Sequence, residues 1–128
     1  MGVIAQMVEQ SEPPRLYLPG RHAFACLTKA EDGAHTANAV DARVTGAIAG
    51  CTLRLVGDYA KVSAAYQHPE SLLWRDAGIV TAGLCIIAEW MDLTSIPIGL
   101  TGSSHLRRLG FPADRFIGLG AVHVGGRL

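Results

Sequence analysis

The sequence predicts an α+β domain in which an antiparallel or mixed sheet packs against one long central helix. Residues 51–56 alternate apolar and polar side chains with the two-residue period of a half-buried strand, whereas residues 70–93 form an apolar stretch far longer than a strand. Turns rich in proline and glycine separate the remaining short apolar runs. The 128 residues match the length of one domain, and a hydrophobic content of 49% is enough to build its core.

The first 14 residues are predicted to be a flexible arm. They end in Pro13 and Pro14, and consecutive prolines neither continue a helix nor donate hydrogen bonds to a sheet. The folded domain is therefore expected over residues 15–128.

Two short strands around a turn are predicted at the start of this domain. Residues 16–18 and 23–28 are mostly apolar, and Pro19 and Gly20 between them are typical turn residues. An Ala-rich helix is expected over residues 36–49, because apolar side chains recur there at four-residue steps.

The strand at residues 51–56 is expected to place Thr52 and Arg54 on the face opposite its apolar side chains. Asp58 then stands where it can cap a short helix that runs to about residue 66. His68 and Pro69 break this helix before the long one begins.

The long helix predicted over residues 70–93 is apolar around most of its circumference. Its large apolar residues are Leu72, Leu73, Ile79, Val80, Leu84, Ile86, Ile87 and Trp90. Gly78 and Gly83 offer places where another backbone can approach closely. A helix with so little polar surface needs cover on all sides, and a domain of this size has few elements to supply it. A second subunit is therefore the expected cover.

Three short elements complete the chain. A strand is predicted over residues 96–100, and Ser103 and Ser104 are expected to cap a small helix that ends near Leu109. The last strand is predicted over residues 116–124.

Composition and residue spacing argue against several classes of function. Eleven Lys and Arg balance eleven Asp and Glu, which leaves no positive excess for a nucleic acid. The five histidines lack metal-ligand spacing and are expected at the surface or in turns. The three widely spaced cysteines are expected to be reduced core residues of a cytoplasmic protein. Residues 77–88 are uncharged but too few for the roughly 20 residues of a membrane span, and no export or lipid signal is visible at the N-terminus. Neither a nucleic acid nor a membrane is therefore expected as a partner.

Five sequence strings stand in the order and at the intervals found in the C-terminal half of the nitroreductase-like flavin oxidoreductases. They are LWRDAG (73–78), AEWMDL (88–93), IPIG (96–99), LRRLGFP (106–112) and AVHVG (121–125). The string RHAF (21–24), with Leu16 and Tyr17 before it, matches the hairpin of one branch, the azoline dehydrogenases of thiazole and oxazole peptide biosynthesis. The chain thus resembles this family over about residues 15–128 and corresponds to a family fold truncated at its N-terminus.

This resemblance implies an FMN-dependent oxidoreductase that works as an obligate homodimer. The family binds FMN at the dimer interface, builds much of that interface from the long helix, and passes a hydride through the flavin to or from a small-molecule or peptide substrate. By the same resemblance, Ile96, Pro97, Ile98 and Gly99 lie along the isoalloxazine ring. The resemblance also implies that Arg127 reaches the FMN phosphate and that Tyr66 acts as a proton donor or acceptor.

The chain also departs from the family in ways that leave two functions open. It lacks the Arg-x-Ser-x-Arg segment that grips the phosphate, the Pro-Ser-Gly-like loop near the flavin, and the lysine that precedes the tyrosine, where Ala65 stands instead. In one hypothesis it is a component of an FMN-dependent oxidoreductase, and its dimer mate or a separate flavoprotein partner supplies the missing contacts. In the other it is a degenerate member without flavin that acts as a binding or scaffolding subunit.

Overall fold

The computed structural model describes residues 1–8, 13–27, 43–46 and 49–127, and these form an α+β fold with one six-stranded sheet. The strands are β1 (Gly2–Met7), β2 (Arg15–Leu18), β3 (Ala23–Cys26), β4 (Cys51–Asp58), β5 (Leu93–Ile98) and β6 (Phe116–Gly126). The α-helices that lie wholly within the described residues are α1 (Tyr59–Ser63), α2 (Pro69–Trp90) and α3 (Ser103–Arg108). Most of the helix predicted over residues 36–49 lies outside the described residues.

The strands pair in the order β3-β2-β1-β4-β6-β5, and every pair is antiparallel. α2 packs on one face of this sheet, where Leu55 of β4 contacts a cluster that includes Leu73 and Ala77. On the opposite face, Ile4 and Val56 pack together with Leu106 of α3. Neighbouring side chains of β4 thus serve two cores, as the alternation of a strand requires.

The prediction of a flexible arm over residues 1–14 is wrong for its first half. Residues Gly2–Met7 form β1, which lies between β2 and β4 and pairs with both. Ile4 is fully buried and Gln6 nearly so. The backbone of Gly2–Met7 is instead held by hydrogen bonds to strands on both sides.

The half-buried reading of β4 is also wrong. Thr52 and Arg54 lie on the face opposite Leu53 and Leu55, as predicted, but both are almost completely buried. Both faces of β4 are covered, since Leu55 packs against α2 on one face and Val56 packs against α3 on the other.

The long predicted helix is confirmed as α2, which begins at Pro69 and ends at Trp90. Its end is set by Met91 and by Asp92, whose φ of 58° turns the chain into the left-handed region. β5 therefore starts at Leu93, earlier than the strand predicted over residues 96–100.

The capping predictions have opposite outcomes. Asp58 caps α1, because its side chain accepts a hydrogen bond from the backbone N–H of Lys61 at 3.1 Å. The expected serine cap of α3 is wrong, since Gly102 occupies the cap position and the Ser103 hydroxyl instead accepts the N–H of Gly118 at 3.1 Å. That contact brings the loop so close to β6 that a side-chain carbon at Gly118 would lie 2.7 Å from the Ser103 nitrogen.

Candidate functional site

The segment Ile96–Gly99 lies along one edge of the sheet. β5 is the last strand in the sheet order and pairs with β6 alone, where Ile98 stands opposite Ala121. Ile98 is buried, whereas Ile96, Pro97 and Gly99 are exposed. This edge therefore presents accessible backbone and the exposed apolar side chains of Ile96 and Pro97.

Gly99 stands in open space. A side-chain carbon added there would meet no atom within 4 Å, and its φ is not in the left-handed region. Nothing in the described residues of this chain thus requires glycine at this position. The glycine leaves room for a planar group or a second chain to reach the backbone.

Arg127 lies at the other end of β5. Its guanidinium forms ion pairs with Glu89 at 2.7 Å and with Asp92 at 3.2 Å. The neighbouring Gly126 pairs with Leu93, the first residue of β5. At about 3.4 Å per residue, the two ends of β5 are roughly 17 Å apart, so one chain does not bring Arg127 to Gly99.

Tyr66 is 58% exposed and lies in the link between α1 and α2. Among the described residues, no hydrogen bond, ion pair or ring contact joins it to Ile96–Gly99 or to Arg127. Beside this link is a polar cavity of about 460 Å³ that is lined by Tyr59 and residues 67–71. The predicted site residues therefore occupy separate places in a single chain.

α2 carries two apolar stripes on different sides. The inner stripe, which faces the sheet, contains Leu73, Ala77, Val80, Leu84 and Ala88. The outer stripe contains Ile79, Gly83, Ile86 and Trp90, at steps of four, three and four residues that keep one side of a helix.

The outer stripe is open to solvent. Ile79, Ile86 and Trp90 are 71%, 69% and 88% exposed, and a side-chain carbon at Gly83 would meet no atom within 4 Å. By length and composition alone, α2 is also long and apolar enough to cross a membrane. For one helix, this is weak evidence of a membrane span. Its inner stripe is already packed against the sheet.

A buried polar group that the sequence did not predict lies on the sheet face opposite α2. His123 Nε2 is 2.9 Å from the carbonyl oxygen of Ala49, and its Nδ1 is 3.1 Å from the Thr52 hydroxyl. Because a carbonyl only accepts, Nε2 donates to Ala49, and in the neutral imidazole Nδ1 then accepts from the Thr52 hydroxyl. Both residues are nearly inaccessible, so the expectation that the histidines are surface residues is wrong for His123.

His105 is a second buried histidine on this side. Burial lowers its pKa, and the positive charges of Arg54 and Arg108 lower it further, so the neutral imidazole is favoured. Its Nδ1 has no hydrogen-bond partner among the described residues. The alternation of β4 placed Arg54 on this face of the sheet, but only the fold brings it near α3.

The cysteines differ from the prediction of three core residues. Cys26 is exposed, and Cys51 and Cys85 are partly buried. Within the described ranges, no group of three or more His, Cys, Asp or Glu side chains could hold a metal ion.

The sequence matches no model of a known protein family, and no curated protein is significantly similar to it. Neither comparison supports the nitroreductase-like resemblance, which stays a prediction from the order of the sequence strings.

Proposed function

We propose that this chain is a dimer-forming subunit of a nitroreductase-like, FMN-dependent oxidoreductase. The observation that carries the proposal is the solvent-exposed outer stripe of α2, a helix whose neighbouring strand β5 contains the exposed residues Ile96 and Pro97. α2 packs against β5 and leads into it through Met91 and Asp92. A subunit that covers the outer stripe would thus stand close to this strand.

A second copy of the chain fits the outer stripe because the stripe can pair with itself. Residues 77–88 carry no charge, and Gly83 near the middle lets two helices approach at the 8–10 Å typical of packed helices. Exposed Ile87 flanks the stripe, and together with Ile79, Ile86 and Trp90 it would contribute part of the roughly 800 Å² per partner of a standard interface. A two-fold dimer would bury both copies of the stripe at once.

The edge segment Ile96–Gly99 is suited to contact the ring of FMN. The rest of the chain is less suited to hold the FMN phosphate. Exposed Ile96 and Pro97 offer apolar contact, and the open space at Gly99 gives access to backbone N–H groups that can stabilise negative charge. FMN, when bound, supplies hydride transfer to or from a small-molecule or peptide substrate. Tyr66, with its exposed phenol, is the candidate proton donor or acceptor for that substrate.

The phosphate would have to be held largely by other groups. Arg127 is engaged by two carboxylates, and a phosphate would have to displace both of them. The contacts that the chain lacks would come from the dimer mate or from a separate flavoprotein. This arrangement belongs in the cytoplasm, where reduced thiols such as exposed Cys26 are stable.

A flavin-free scaffolding subunit is the second candidate. The ion pairs of Arg127 favour it, because they leave the described chain without an evident phosphate clamp. The outer stripe would serve this function equally well.

Absorbance spectroscopy of the purified chain, followed by FMN titration, separates the two candidates. We expect weak, saturable binding by the chain alone, since losing two charge-assisted hydrogen bonds of about 1.5–3 kcal/mol each weakens binding by roughly two to four powers of ten. Gly99→Val should lower flavin binding while leaving the fold intact, because the added side chain meets no atom of this chain. Cys85→Ala is the matched control and should bind like the parent. No binding at any FMN concentration would favour the scaffold, and tight stoichiometric FMN on the chain alone would contradict the shared site.

A further inference from the structure

A hollow of about 450 Å³ opens on the sheet face that also carries α2. Its lining includes Ala5, Met7, Arg15, Phe24, Cys51 and Leu53. These residues belong to β1, β2, β3 and β4, so the floor of the hollow is the sheet itself. The volume falls within the roughly 300–1,000 Å³ of small-molecule sites.

Strand register explains why a hollow forms here. Ala5 stands directly between Leu53 on β4 and Arg15 on β2. Its single methyl group leaves a depression between two long side chains. Leu55, two residues beyond Leu53, packs beneath α2, so the helix covers the next part of this face and leaves the hollow open.

The lining combines apolar surface with one positive charge. Among the described residues that line it, Arg15 is the only charged one. Burial raises the pKa of the Cys51 thiol, so this side chain is a neutral, weakly polar group at neutral pH. A guanidinium carries five N–H donors in a fixed fork and can hold a carboxylate in addition to a contact within the chain.

We propose that this hollow binds an aryl or acyl monocarboxylate, with the carboxylate on Arg15 and the apolar body over Ala5 towards Leu53. Strands lie about 4.8 Å apart, so Arg15 and Leu53, two strands apart, are separated by roughly 10 Å. A two-ring aromatic acid spans that distance. Met7 and Phe24 flank its apolar body. The hollow is separate from Ile96–Gly99 and from the outer stripe, so this inference does not depend on the proposed function.

Isothermal titration calorimetry with 2-naphthoate and its uncharged analogue 2-naphthamide tests the proposal. The two probes share their apolar body and differ in the charged end. We expect the protein to bind 2-naphthoate at least about 10-fold more tightly than the amide, since a charge-assisted hydrogen bond contributes that much or more. Arg15→Met should remove the difference, whereas Arg21→Met, an exposed arginine outside the lining, should preserve it.

Cys51 reports where the probe binds. In protein carrying Cys26→Ser and Cys85→Ser, 2-naphthoate should slow the reaction of Cys51 with a thiol reagent, in proportion to the occupancy measured by calorimetry. Ala5→Leu fills the depression and should abolish both binding and protection, with the fold checked by circular dichroism. Equal affinity for the two probes, binding unchanged in a folded Ala5→Leu protein, or no binding at millimolar 2-naphthoate would each overturn the proposal.

Discussion

The two stripes of α2 are similar in composition but opposite in environment. The inner stripe buries Leu73, Ala77 and Ala88 against the sheet, whereas the outer stripe leaves Ile86 and Trp90 in solvent. An apolar side chain contributes to stability only when something covers it. The inner stripe therefore stabilises the fold of one chain, whereas the outer stripe can add to stability only when a partner buries it.

The largest effect is expected from the inner stripe. Leu73→Ala should lower the free energy of unfolding by about 2–5 kcal/mol, because it leaves a cavity beneath α2. Urea denaturation at a fixed protein concentration measures this loss. Ile79→Ala on the outer stripe is the matched control, and its smaller effect should grow with protein concentration. An equal, concentration-independent loss for both variants would erase the distinction between the stripes.

A smaller effect, confined to association, is expected from Gly83→Leu. Overpacking a close helix contact costs about 1–3 kcal/mol, which raises the dissociation constant by roughly 5- to 150-fold. The single chain should tolerate the change, because the new side chain points into open space. Light scattering over a dilution series measures the shift.

Gly83→Ala serves as the control for helix propensity. It adds only a methyl group to the same position and should retain association while stabilising the helix slightly. If both variants associate like the parent, Gly83 is not at the contact.

The smallest expected effect is the dependence of stability on pH. It arises from His105, which lies on the side of the sheet opposite α2. The folded-state pKa of His105 lies below its ordinary value of 6.5, so the unfolded chain takes up a proton more readily. Stability should be complete above about pH 6.5 and should fall as the pH drops towards the lower, folded-state pKa. His105→Gln should flatten this dependence in urea titrations between pH 5 and 8, while the exposed-site variant His68→Gln should retain it. A pH slope that is unchanged in His105→Gln would show that another titratable group is responsible. Neither stripe of α2 could supply that group, because both stripes are apolar.

Elements with a strong local pattern could be predicted from the sequence. The alternation in β4 and the length of α2 are visible in the residues themselves, and so is the Asp58 cap. β1 was missed because Gly2–Met7 becomes a strand through its pairing with β2 and β4, which no local pattern reveals. For the same reason, an apolar helix could be recognised but its inner and outer stripes could not be told apart.

The candidate site was predictable only in part. The sequence could point to Ile96–Gly99 through a resemblance, and the structure places this segment on an accessible edge. The partners of Arg127 could not be foreseen, because the fold brings the end of β6 beside Glu89 and Asp92. His123 and Thr52 were missed because burial of both faces of β4 depends on the whole sheet.

Sedimentation equilibrium of the purified chain at micromolar concentration tests most directly whether the outer stripe of α2 is an interface. The account predicts a mass twice that of the 13.5 kDa chain, falling towards one chain in Gly83→Leu. A stable 13.5 kDa species that shows no association across the concentration range would contradict it.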